Sequence, residues 1–172
     1  MMKNLIKIYD NFFPNDQSAN INGFVLRSLY RLGWEDTNEP QHRAYPNLHS
    51  SYTPEDVAKI KILEPILKKV KLTKKHYSKC MVNLTKPLDV NFIHMHPGCI
   101  VALYYANMHW DPEWGGETLF YEEDRKTIGL ASPYVPNRLV IFDGKVPHTI
   151  RSQNLLGPSY RFTIGMFFNK NI

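Results

Sequence analysis

The feature that most constrains this chain is a change of texture at Tyr77. Beyond it, short β-rich runs follow one another: Cys80–Leu84, Val90–His94, Ile100–Ala106, Glu117–Tyr121, Thr127–Ala131, Arg138–Phe142, His148–Arg151 and Arg161–Phe168. Pro-Leu-Asp, Pro-Gly, Gly-Gly, Pro-Asn and Asp-Gly steps separate them, and these residues supply the backbone conformations that turns need. About eight short strands at this spacing predict a sandwich or a jelly roll.

The first 75 residues or so read as helical. Ile21, Phe24, Val25, Leu29 and Leu32 recur at helical spacing, and Gly33 stands where such a helix would stop. Glu35 to Ser51 hold Pro40, Pro46 and several Asn and His, which predicts an irregular connection. Thr53 then offers a side-chain cap, Pro54 the first helical position, and Asp56 lies three residues beyond the cap. Val57, Ile60, Leu63 and Leu67 continue one apolar face, and Pro65 should kink or restart that helix. The expected fold is mainly β with N-terminal helices. Residues 1–75 would pack on one sheet face and residues 77–168 would form the β core of a single domain spanning 1–172. A chain of 172 residues suits one hydrophobic core.

Composition narrows the function classes. With 43% hydrophobic and 22% charged residues, the chain has enough apolar surface to fold. The net charge of +5 is largely local, because Lys61, Lys68, Lys69, Lys71, Lys74, Lys75 and Lys79 crowd one stretch. Only His76 and Tyr77 interleave with them, so a solvated helix face and loop outweighs a nucleic-acid patch. Cys80 and Cys99 are too few for a disulfide framework and fit no zinc spacing, so reduced thiols are expected. Met1 to Phe13 alternates Lys with Ile and Leu without a continuous apolar run. Neither a signal peptide nor a membrane span is expected, and a cytoplasmic location fits.

Three of the seven histidines lie in strand-like context. His94 and His96 are two apart, so in a strand both imidazoles would face one side. His148 follows about fifty residues later, just after the apolar run Leu139-Val140-Ile141-Phe142. A close pair plus a distant third ligand is how a facial metal site with open positions is built. Satisfied structural histidines explain any one of them as often. His42, His49, His76 and His109 read as ordinary surface or loop residues. Arg161 opens the last apolar run, where a buried guanidinium would be costly unless it met an anion. Its planar fork suits a carboxylate, and Thr163, two residues on, shares its face. An edge-strand Arg facing water is the competing reading.

Five pieces in order carry a resemblance. They are Leu103-Tyr104-Tyr105-Ala106-Asn107; Trp110 with Trp114-Gly115-Gly116-Glu117-Thr118; Pro136-Asn137-Arg138-Leu139-Val140-Ile141-Phe142; Pro147-His148; and Tyr160-Arg161-Phe162-Thr163. Over residues 77 to 168 the chain resembles the Fe(II)/2-oxoglutarate oxygenases. Within these it is most similar to the prolyl 4-hydroxylase-like branch, and especially to small bacteriophage-encoded members. The resemblance implies a double-stranded β-helix, a jelly roll of cupin-like form. It also implies Fe(II), 2-oxoglutarate and O2 as cofactor and cosubstrates, with ascorbate as an accessory reductant.

Carried over residue by residue, His148 becomes the distal iron ligand. Arg161 and Thr163 would hold the far carboxylate of 2-oxoglutarate, and Tyr105 would add a hydrogen bond to it, with Tyr104 as the alternate. Adjacent strand residues face opposite ways, so only one tyrosine can line the pocket. The family's proximal His-x-Asp/Glu pair is missing. Three readings follow: His94 with His96 standing for the acid, His96 with an open position at Gly98, or an acid from elsewhere such as Asp89 or Asp111.

The resemblance implies hydroxylation of an unactivated C–H bond on a prolyl or other peptide side chain, or on a small molecule. The alternatives are a radical halogenase, a metalloenzyme without 2-oxoglutarate, and a non-catalytic metal-binding module. Met108–Trp114, Glu122–Lys126 and Glu35–Ser51 are the loops expected to read substrate. Trp110 and Trp114 either stack on a substrate ring or close the barrel rim, the second being the favoured reading.

Overall fold

The computed structural model describes residues 2–33, 40–70 and 76–170. Two antiparallel sheets face each other. The larger has seven strands: β1 (Ile6–Tyr9), β2 (Arg31–Gly33), β3 (Asn47–Tyr52), β4 (Tyr77–Thr85), β5 (Cys99–Tyr105), β8 (Leu139–Asp143) and β10 (Arg161–Asn169). Their spatial order is β1-β8-β5-β10-β4-β3-β2. The smaller sheet holds β6 (Thr118–Tyr121), β7 (Ile128–Ser132) and β9 (His148–Ile150), ordered β7-β6-β9. This is the predicted jelly roll.

β10 sits in the middle of the large sheet, paired with β4 on one side and β5 on the other. Both of its faces are covered, which is why its sequence is a continuous apolar run rather than an alternating one. Ile164, Met166 and Phe168 pack with Val82, Tyr104 and the helices, while Phe167 packs with Met81, Val101, Phe142 and Phe120 of the small sheet. The helices cover the first of these faces through Ile21, Val25, Val57, Leu63 and Ile66, as expected.

The capping prediction holds in detail. Thr53 caps α3 (Pro54–Lys59) in a reciprocal capping box with Asp56, and Pro54 takes the first turn. A 3-10 turn over Lys61–Leu63 follows, and the helix restarts as α4 (Glu64–Val70) with Pro65 in its first turn. Val57 and Leu63 are buried, with Ile60 and Leu67 packed against them.

Three expectations need correction. Helix α1 (Asn15–Arg27) ends before Leu29 and Leu32, which are exposed, and Gly33 lies in β2 rather than at a helix stop. Ser28 turns extended there: its hydroxyl donates to the Phe24 carbonyl, and Tyr30 Oη donates to the Val25 carbonyl at 2.6 Å. Those bonds satisfy the last helical carbonyls and leave nothing for a further turn to build on. Second, the stretch read as helical also contains β1, β2 and β3, and the predicted irregular connection Glu35–Ser51 includes α2 (Pro40–Arg43) and most of β3. Residues 35–39 of that connection, like Lys71, Lys74 and Lys75, lie outside the described residues. Third, Val90–His94 is no strand and makes a single bridge, from His94 to His148. The other seven predicted strands are present within a residue or three.

Among the remaining lysines, Lys68 pairs with Glu64, Lys69 lies over the Tyr9 ring, and Lys79 lies 4.9 Å from the centre of the Phe167 ring. Both cysteines are free thiols. No described helix is long and apolar enough to cross a membrane.

Candidate metal centre

The three histidines singled out from sequence converge between the two sheets. One ligand atom from each of His94, His96 and His148 lies within 4.8 Å of the others, and the ring centres are 4.5 to 5.2 Å apart. His148 is buried and stands on β9, held by packing against Phe142 and Phe120. His94 joins it through the two-bond bridge, N–H to carbonyl in both directions at 3.0 Å.

The convergence of His94 and His96 does not come from strand alternation. Neither lies in a strand, and His96 is anchored separately: its N–H donates to the Gly144 carbonyl at 2.7 Å, Cys99 N–H donates to the His96 carbonyl, and Gly144 N–H donates to the Cys99 carbonyl. A Cβ on Gly144 would run into the His96 carbonyl, so the close approach needs glycine. Gly98, at φ 83°, makes the turn, and the space around it is open.

Tautomers are fixed for two of the rings. His94 Nδ1 lies 2.9 Å from the Phe92 carbonyl, and His148 Nδ1 lies 2.9 Å from that of Val146. A carbonyl only accepts, so Nδ1 carries a proton and Nε2 is the nitrogen that would ligate a metal. Burial, with help from His94 and Lys79, pushes the His96 pKa down to about 3. The acids considered from sequence are engaged locally: Asp89 accepts from Lys86 N–H at 2.7 Å, and Asp111 from Glu113 N–H at 2.8 Å.

Arg161 does not face water. It is 1% exposed on the central strand, and Nε donates to the Gly116 carbonyl at 3.0 Å. Nη1 and Nη2 have no hydrogen-bond partner, and neither does the Thr163 hydroxyl on the same face of β10. The guanidinium lies 4.6 Å from the centre of the Tyr134 ring and 5.6 Å from that of Tyr105. Burial lowers its pKa, an effect opposed by Tyr134, Tyr105 and Glu117. A buried cation with two unmatched donor groups is costly. The arrangement therefore fits a carboxylate.

Tyr105 and Tyr104 separate as alternation requires. Tyr105 is on the Arg161 face, with its hydroxyl donating to Thr118 Oγ1 at 2.8 Å and its ring stacked on Tyr134. Tyr104 is on the helix face, bonded to Ser18 and Asn137. Thr163, Thr118 and Gly165 line one cavity with the triad. Arg161 and Tyr105 stand beside that wall rather than in it.

Sequence reasoning missed several neighbours. His49, read as a surface residue, is 3% exposed on β3 and lines the same cavity. His42 is buried too, stacked on Phe92 at 3.9 Å. Tyr134 packs on Arg161, and its hydroxyl accepts from Asn107 N–H at 3.0 Å. Gly116, at φ 82°, admits Arg161 and Trp110, whose atoms would lie 3.2 and 2.9 Å from any Cβ there. The Gly115-Gly116 step was the available signal. Trp110 is buried against Tyr134 and donates to the Gly115 carbonyl.

No family model matches the sequence, and no curated protein does. Solved structures do. A prolyl hydroxylase from Trichoplax adhaerens, in complex with a peptide fragment of the hypoxia inducible factor oxygen degradation domain, superposes with a TM-score of 0.74 at 18% identity over 96% of this chain and 84% of that one. A Pseudomonas putida prolyl-4-hydroxylase gives 0.63 at 16% identity, covering 97% and 93%. HygX from Streptomyces hygroscopicus, with nickel and 2-oxoglutarate bound, gives 0.64 at 11%, covering 97% and 83%. The chain thus has the fold shared by prolyl hydroxylases and other 2-oxoglutarate/Fe(II) oxygenases.

Proposed function

We propose that this protein is an Fe(II)- and 2-oxoglutarate-dependent oxygenase formed as one domain over residues 1–172. The observation that carries the reading is the pairing, in one barrel, of a convergent histidine triad with a buried cation that lacks an anion. One ligand atom from each of three imidazoles lies within 4.8 Å of the others, and on β10 a buried guanidinium and a hydroxyl lack hydrogen-bond partners. A metal ion alone would answer the first, and a lone anion the second. A metal-chelating dicarboxylate answers both.

His94, His96 and His148 would hold the iron, whose bound form activates O2 at the expense of 2-oxoglutarate. Arg161 and Thr163 would bind the far carboxylate, reached past Thr118, with the Tyr105 hydroxyl turning from Thr118 to join them. Gly165 leaves room for the cosubstrate, and Phe142, Phe120 and Phe167 keep water from the imidazoles. The protein's part is to bind, orient and exclude water while the iron supplies the reactivity.

Hydroxylation of a prolyl or other peptide side chain is the substrate reading, supported by the peptide held by the Trichoplax adhaerens neighbour. The fold itself accepts many substrates. Kinship with small bacteriophage-encoded members and a cytoplasmic location, where the free thiols would stay reduced, complete the proposal.

The test is anaerobic addition of Fe(II) and 2-oxoglutarate. A weak visible charge-transfer band is expected in the wild type and should vanish in His148→Ala. Folded wild type without the band contradicts the reading. A panel of prolyl peptides scored by mass for gain of one oxygen then tests the substrate class.

A further inference from the structure

We infer that the metal centre keeps an uncompensated positive charge and takes a small monoanion, such as azide or chloride, as an additional ligand beside 2-oxoglutarate. The inference rests on the oxygenase reading above and concerns what His96 does to it.

The argument is one of charge. All three candidate ligands are imidazoles, which bind a metal as uncharged donors: two rings lie with Nδ1 on backbone carbonyls, and the third packs beside Phe167. No Asp or Glu is among the described residues that line the cavity. The acid next to the triad in sequence, Asp143, lies on the opposite face of β8 from Phe142. It is spent on Lys170 at 2.5 Å and on Lys145 N–H. A cation lies on this side of the site: the Lys79 ammonium sits over the Phe167 ring that packs against His96.

A divalent ion on such ligands gains one negative charge from the keto acid end of 2-oxoglutarate. The other carboxylate is directed to Arg161. One positive charge therefore remains at the metal, in a cavity whose walls are Val101, Leu103, Phe142 and Phe167 on the apolar side and uncharged Asn and Thr side chains on the other, with nothing among the described residues to balance it. A monoanion cancels it. A carboxylate in place of His96 would cancel it permanently, so His96 acts as the selectivity residue for the anion. The functional consequence is an oxygenase whose oxygen site is occupied or vacated according to the anion present.

The experiment uses Co(II)-loaded protein with saturating 2-oxoglutarate under anaerobic conditions, titrated with sodium azide and followed by visible absorption. A saturable spectral change at millimolar azide is expected, and chloride should compete with it. His96→Asp should still load Co(II) and should weaken azide at least about tenfold. Wild type that binds Co(II) and 2-oxoglutarate but shows no azide change overturns this inference and leaves the oxygenase reading standing. Equal azide affinity in wild type and a Co(II)-loaded His96→Asp variant also overturns it. Wild type that binds no Co(II) overturns both. The wild-type titration decides the matter even if His96→Asp does not fold.

Discussion

The two faces of the large sheet are made by the same strands and have opposite characters. Tyr104 and Tyr105 are neighbours in sequence. Tyr104 faces the helices in a packed core whose hydroxyl contacts, to Ser18 and Asn137, are complete. Tyr105 faces the small sheet, where Arg161 Nη1 and Nη2 and the Thr163 hydroxyl are left without partners. One face holds the fold together, and the other keeps polar groups unmatched at a cost to the fold. That cost is the mark of a site whose missing partner is a ligand.

Arg161→Met should break the comparison most sharply. Loss of 2-oxoglutarate affinity by about 2–5 kcal/mol is expected from titration calorimetry. The unfolding midpoint should not fall, because a buried cation with two unmatched donor groups is removed. A large destabilisation would mean that Arg161 is structural. Ile164→Ala, from the other face of the same strand, should do the reverse. About 2–5 kcal/mol of stability should be lost in urea unfolding, with metal affinity unchanged in the folded fraction.

Gly144→Ala tests how the metal side is held. Its Cβ would push on the His96 carbonyl, so about 1–3 kcal/mol of strain is expected, with weaker metal binding while His94 and His148 stay in place. Tyr104→Phe should cost about 1 kcal/mol of stability and leave cosubstrate binding untouched.

The smallest effect concerns Asp10, whose carboxylate accepts from Arg138 Nε and Nη2 at 2.5 and 3.0 Å. The hydrogen bond from Arg138 holds its pKa below the ordinary carboxylate value, so its contribution is present above that value and lost as pH falls through the lowered one. Asp10 is half exposed, so under about 1 kcal/mol is expected. Asp10→Asn should flatten the acid limb of the stability profile by that amount.

What was legible in the sequence follows the same division. The helix-facing pattern, the capping box at Thr53 and the buried strands from Tyr77 onward were readable because apolar periodicity and turn residues report packing. The site was legible only where residue type restricts chemistry: His94, His96, His148, Arg161 and Thr163. β3 was missed because its cavity-facing positions are Asn47 and His49, polar residues that resemble a loop when the cavity is unseen. The approach of His94 to His96 was expected for the wrong reason. The hydrogen bonds that set it run to Gly144 and Cys99, which no spacing rule connects. Leu29 and Leu32 fit a helical period by coincidence, and Ser28 overrode it.

The most direct measurement is a crystal structure of the protein with Ni(II) and 2-oxoglutarate, the metal located by anomalous scattering. The expected result is one ion bound by Nε2 of His94, His96 and His148, with the far carboxylate against Arg161 and Thr163. An ion bound elsewhere, or a carboxylate that leaves Arg161 unpartnered, would contradict the account.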